Sequence, residues 1–202
     1  MDNQHIENEI NPFVLTKKKA EEYYKRSAET AMYPDKLVYV CLGLNGEAGE
    51  LHELIESHTA QFHCQDENMR KQIISEIGDI FWYIAAFYRE NPEISDFAGV
   101  TAIISRKEYE HRNCHLSTLI LTNAVKISEY MKKLLRLRQN KDSEIRQNKI
   151  IEIIENMYDT IELITQYLFQ IIREYEIPIN KVLDTNIQKL SERKSAGTLM
   201  SR

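Results

Sequence analysis

Four prolines, Pro12, Pro34, Pro92 and Pro178, divide a chain of 202 residues into long uninterrupted blocks. A residue that lacks an amide donor and fixes φ is tolerated between helices and costly inside them. Within the blocks, apolar residues recur three or four apart, the repeat of an amphipathic helix. Glycine adds little further punctuation, since six glycines and four prolines make roughly 5 % of the chain against ~12 % in average usage. Sheets joined by tight turns need more of both. The pattern predicts an all-α fold, a helical bundle.

Thr16 can cap a first helix running through KKKAEEYYKRSAETAMY. Further helices are expected over roughly 35–58, 67–91, 116–139, 143–176 and 179–194, with a less regular stretch around 93–115. Residues 1–12 read as a polar arm, 13–92 as a first half and 93–202 as a second half packed on it in a single domain. Adding 79 to Glu47 and Glu50 gives Lys126 and Glu129, and adding 80 to Glu76 and Asp79 gives Asn156 and Asp159. This faint repeat suggests a degenerate internal tandem whose second copy has lost most of its negative charge.

With 26 basic and 31 acidic residues, the net charge of -5 argues against nucleic acid as a partner. The longest apolar or aromatic run, 80–88, is too short to span a bilayer, and the opening MDNQHIENEINP carries no signal-like segment. No membrane partner and a cytoplasmic location are expected. Cys41, Cys64 and Cys114 are odd in number and lack CxxC spacing, which suits reduced thiols. His63, Cys64, His111, Cys114 and His115 match no zinc pattern.

The informative residues are acidic. Gly43, Gly46, Gly49 and Gly78 fall inside expected helices, where each costs about 1 kcal/mol relative to alanine, so close approach of a neighbouring backbone or a ligand is called for. Among them, Glu47 and Glu50 stand one turn apart at the edge of the stripe Val40, Leu44, Ala48, Leu51 and Ile55. Glu76 lies in the middle of the face formed by Met69, Ile73, Ile80, Tyr83 and Phe87, with Asp79 at i+3. A carboxylate buried there must be protonated, ion-paired or bound to a cation. Two such helices packed antiparallel converge four carboxylates, and a hard divalent cation is the natural filler: Mg²⁺, with Mn²⁺ as a substitute. For a single ExxE the plainer reading is a solvated face; the linked set argues against it.

At these residues the sequence resembles the all-α nucleotide pyrophosphohydrolases of the MazG and dimeric dUTPase superfamily. GLNGEAGELHEL is similar to the ExxE helix and SEIGDIFWYIAAF to the ExxD helix, with 25 residues between Glu50 and Glu76. YYKRSAETAMYP resembles the segment before ExxE, and NIQKLSERKSAG the closing N..KL..R...G pattern. The likeness covers 23–91 well, 179–197 fairly and 93–178 poorly. It implies a MazG-like bundle and a homodimer in which Glu47, Glu50, Glu76 and Asp79 hold Mg²⁺, while Asn186, Lys189 and Arg193 approach the phosphates. The lysine pair that often follows ExxE is missing from 51–55, and Lys132 and Lys133 are the nearest equivalents.

The implied activity is Mg²⁺-dependent hydrolysis of a nucleoside triphosphate to its monophosphate and pyrophosphate, with Glu47 or Glu50 orienting or deprotonating the attacking water. Alternatives are a dUTPase-like or dCTPase-like enzyme, a catalytically silent nucleotide binder, or a plain helical interaction module. Tyr83 reads as core, while Trp82 is balanced between core and stacking on a base; Tyr33 and Tyr39 are weaker base-pocket candidates. The basic run Lys126, Lys132, Lys133, Arg136 and Arg138 reads as a solvated face or a phosphate clamp. His52 reads as a surface residue rather than a base.

Overall fold

The computed structural model describes residues 11–34, 36–58, 67–92, 96–107, 115–139 and 144–198. Among them stand seven α-helices and no strand: α1 (Lys17–Ala28), α2 (Lys36–His58), α3 (Glu67–Glu90), α4 (Phe97–Ile104), α5 (Leu116–Gln139), α6 (Glu144–Glu174) and α7 (Ile179–Ser195). Helix α2 packs against both α3 and α5, α5 pairs with α6, and α7 returns to lie along α3. Helix α1 bridges α3, α4 and α7. No helix of the described residues is long and apolar enough to cross a membrane.

The core follows the helical repeat. Leu44, Ala48 and Leu51 of α2 are sealed, as are Ile73, Ile77, Ile80 and Ile84 of α3. The same spacing recurs in Ile120, Ala124 and Ile127 of α5 and in Met157, Ile161, Ile164 and Leu168 of α6. These stripes fix the rotation of each helix, and so decide which polar side chains face the seam between α2 and α3.

Two boundaries differ from expectation. Helix α1 starts at its Thr16 cap, whose hydroxyl accepts from the Lys19 amide at 3.3 Å, but stops at Ala28 instead of running on to Tyr33. The Thr30 hydroxyl donates to the Ser27 carbonyl at 2.9 Å, and Pro34 disfavours helical backbone before it. The stretch expected to be irregular contains α4, capped by Asp96, whose side chain accepts from the Ala98 amide. Its sequence, FAGVTAII, is apolar almost all round and only eight residues long, so no amphipathic period could reveal it.

The long-range joints set the position of the C-terminal helix. The Ile179 amide donates to the Pro12 carbonyl at 2.9 Å, tying the start of α7 to the N-terminal segment. Arg89 lies over the rings of Tyr24 and Trp82 and donates to the Ser27 hydroxyl at 2.8 Å, locking α3 to α1. His63, Cys64, His111 and Cys114 lie outside the described residues.

Candidate metal and nucleotide site

Gly43 faces Tyr83 while Glu47 and Glu50 face Glu76, the register of two antiparallel helices. A Cβ added at Gly43 would stand 2.1 Å from Tyr83 Cζ, so glycine here lets the tyrosine ring lie directly on the backbone of α2. At Gly78 a Cβ would meet Asn186 Cβ at 2.9 Å and the Val182 carbonyl at 3.4 Å, which makes this glycine the contact point of α3 and α7. Gly46 and Gly49 have nothing within 4 Å, and packing does not explain them.

Carboxylate oxygens of Glu47, Glu50 and Glu76 all come within 4.8 Å of one another. Glu50 is exposed and the other two are half-buried, with Oε2 of Glu47 and of Glu76 sealed from solvent. Around an octahedral Mg²⁺ neighbouring ligands stand about 2.9 Å apart and opposite ones about 4.1 Å, so rotation of the side chains would bring these oxygens onto one ion. An all-carboxylate donor set suits hard cations over thiophilic ones. The residues therefore fit a hard divalent cation.

Asp79 is placed differently from the three glutamates. It is buried, its Oδ1 accepts from Asn186 Nδ2 at 2.9 Å, and its Oδ2 pairs with the Lys189 ammonium. Lys189 also donates to the Ser75 hydroxyl at 2.9 Å, and Asn186 accepts from the Tyr23 hydroxyl at 2.9 Å. Burial, and secondarily the charge of Asp79, holds the Tyr23 phenol well above its ordinary pKa, so it stays a donor. Tyr23 and Ser75 have no counterpart among the sequence candidates; their roles arise from contacts with α7, a link that local periodicity does not carry.

Glu47, Glu50 and Asp79 open onto a cavity of about 430 Å³, of a size that holds small organic ligands. Arg193 of α7 lines the same cavity, together with Leu190. The opposite wall is apolar and aromatic: Met32, Tyr39, Leu42, Trp82 and Tyr83. Neither Met32 nor Leu42 was among the sequence candidates, yet both are more than half exposed at this wall.

Both candidate rings line the cavity, but the ring expected in the core is the less buried of the two. Trp82 is the more buried, at 8 % exposure, and its Nε1 donates to Thr30 Oγ1 at 2.9 Å and to the Ser27 carbonyl at 3.3 Å. Tyr83, expected in the core, is half-buried and packs edge-on to Trp82, with ring centroids 5.0 Å apart. The helical wheel misplaces Tyr83 because Gly43 opens space beside it, and it leaves Trp82 undecided because the segment through Ser27 and Thr30 that covers this side of α3 is distant in sequence. Burial first, then a hydrogen bond with Tyr39, keeps the Tyr83 phenol protonated well above its ordinary range. Tyr33 stacks on Tyr39 at 5.2 Å and donates to Glu90 at 2.9 Å.

The remaining candidates lie elsewhere. Asn186 sits beneath Asp79 with 1 % exposure and does not line the cavity. Lys132 and Lys133 do not line it either: the first pairs with Glu129 at 2.6 Å, and the second lies 5.2 Å from the centre of the Tyr130 ring. Lys126 and Arg136 are exposed, and the Arg138 side chain falls outside the described residues. His52 is half-buried rather than a surface residue, its Nδ1 3.3 Å from Ser117 Oγ. Comparisons of the chain with protein-family models, with curated proteins and with solved structures found no match.

Proposed function

We propose that the protein is a Mg²⁺-dependent nucleoside triphosphate pyrophosphohydrolase of the MazG-like type, releasing a nucleoside monophosphate and pyrophosphate. The observation that carries this reading is the convergence of Glu47, Glu50 and Glu76 beside a cavity that also offers Arg193 and an aromatic wall. Carboxylates without a cation would repel a triphosphate. A magnesium ion held by them supplies positive charge against the phosphate oxygens and lowers the pKa of water.

The chain's own residues then divide the work. Glu76, set among sealed isoleucines, anchors the cation from α3. Glu50, the exposed member, or Glu47 orients the attacking water and takes its proton. Arg193 binds phosphate oxygens, and Tyr83, Tyr39 and Trp82 receive the base by stacking and contact. Asp79 adds a fourth carboxylate at the cavity wall, with Lys189 next to it.

The pairing of α5 with α6 beside the pair α2 and α3 supports reading the second half as a degenerate copy of the first. Lys126 with Glu129 and Asn156 with Asp159 occupy the corresponding helices. The resemblance to the MazG-like enzymes implies a cytoplasmic homodimer, whereas an internal duplication would let one chain imitate the pair.

A panel of ribo- and deoxynucleotides incubated with Mg²⁺ tests the proposal, with products separated by chromatography. Monophosphate plus pyrophosphate is expected, and Glu76→Gln should abolish turnover while leaving helicity intact. Diphosphate plus orthophosphate, or full activity in both Glu76→Gln and Glu50→Gln, would contradict it. Turnover confined to one pyrimidine deoxynucleotide would narrow the enzyme to the dUTPase-like or dCTPase-like form, and binding without turnover would make it a silent nucleotide binder.

A further inference from the structure

We infer that Lys189 is a built-in counter-ion of the acidic site, competing with the divalent cation for Asp79 and set free when that cation is bound. The inference rests on the proposed function, which makes such a cation the ligand of the three glutamates.

Both oxygens of Asp79 have partners, and the two partners are unequal. Asn186 is 1 % exposed and is fixed from behind by the Tyr23 hydroxyl at 2.9 Å. It cannot leave without opening the joint between α1, α3 and α7. Lys189 has a side chain 21 % exposed on a flexible four-carbon stem, and its other contact at the site is the Ser75 hydroxyl. One partner of Asp79 is thus structural and the other exchangeable.

A buried carboxylate needs positive charge beside it, and the Asp79 side chain is only 10 % exposed. At equal distance Asp79 is attracted about twice as strongly to a divalent charge as to an ammonium. Asp79 stands outside the trio whose oxygens come within 4.8 Å of one another but lines the same cavity as Glu47 and Glu50, so its Oδ2 reaches a cation gripped by the glutamates by turning away from Lys189. Lys189 lies one turn before Arg193 on α7, on the same face, and Arg193 lines the cavity. The released ammonium can turn to an anionic oxygen of the bound nucleotide. Lys189 thus weakens cation binding when nucleotide is absent and favours it when nucleotide is present, so that the two ligands bind jointly.

The test is the Mn²⁺ affinity of the full chain without nucleotide, read by electron paramagnetic resonance for wild type, Lys189→Met, Asp79→Asn and the double variant. Lys189→Met should bind Mn²⁺ about fivefold to tenfold more tightly than wild type. In the Asp79→Asn background the gain should shrink below about twofold. Unchanged or weaker binding in Lys189→Met overturns the inference, and so does an equal gain with and without Asp79, which would make Lys189 a mere source of repulsion. Wild-type binding that is lost in Glu76→Gln but not tightened in Lys189→Met overturns the inference alone. A wild type that binds no Mn²⁺ overturns the proposed function with it. Circular dichroism melting checks that each variant folds, and Lys189→Gln replaces the methionine variant under the same criteria if that one does not.

Discussion

Gly78 and Gly46 are both glycines inside helices, and their surroundings give substitution opposite signs. Alanine at Gly78 would force Asn186 Cβ, 2.9 Å away, and with it α7, outward. Gly78→Ala should therefore cost about 1–3 kcal/mol by overpacking. It should also loosen the hold of Asn186 and Lys189 on Asp79. Gly46 has nothing within 4 Å, so Gly46→Ala should stabilise by about 0.5–1 kcal/mol through helix propensity alone. Urea melts of the two variants check this, and a shift of the same sign in both would contradict it. The glycines announce themselves in the sequence by their cost, but which of them is a close contact depends on partners in α7 and on Tyr83 forty residues further along the chain. Glu76 is the opposite case: its place among isoleucines one turn apart marks it from the helical repeat alone. The bond from Lys189 to Asp79 spans 110 positions and leaves no local trace.

The long helices α2, α3, α5 and α6 are readable because each keeps an apolar stripe for six turns or more, and their ends agree with expectation within two residues. Helix α4 escapes notice because eight apolar residues have no polar face to define a period. What holds its start is Asp96, whose carboxylate accepts from the Ala98 amide at 3.1 Å and pairs with Lys17 at 3.2 Å. The backbone hydrogen bond from Gly99, followed by the Lys17 charge, holds its pKa below the ordinary value. A carboxylate whose pKa is depressed on folding contributes stability above its unfolded pKa, and that contribution is lost as pH falls through the folded one. At pH 7, Asp96→Ala should lower stability by about 1 kcal/mol, as loss of a helix cap does. The difference between variant and wild type should fade as the pH drops below about 4. Urea titrations at several pH values read this directly, and an equal penalty at pH 7 and pH 3 would show that the cap does not act through its charge.

Across the whole molecule, the acidic pair of α2 is brought to α3 by apolar stripes that a helical wheel displays. The closing of the site by α7 is a matter of topology. The fold class and the three convergent glutamates were therefore legible, along with Arg193 at the cavity, while the burial of Asn186 and the capture of Asp79 by Lys189 were not. Lys132 and Lys133 illustrate the limit: their charge suggests a phosphate clamp, yet they line no part of the cavity. The central claim is that Glu47, Glu50 and Glu76 jointly hold a hard divalent cation, and the direct measurement is anomalous diffraction from crystals soaked in Mn²⁺. The expected result is a peak bonded to one oxygen of each glutamate at about 2.1–2.2 Å, close to the Mg²⁺ distance. Glutamates turned apart, with no peak among them, would contradict it.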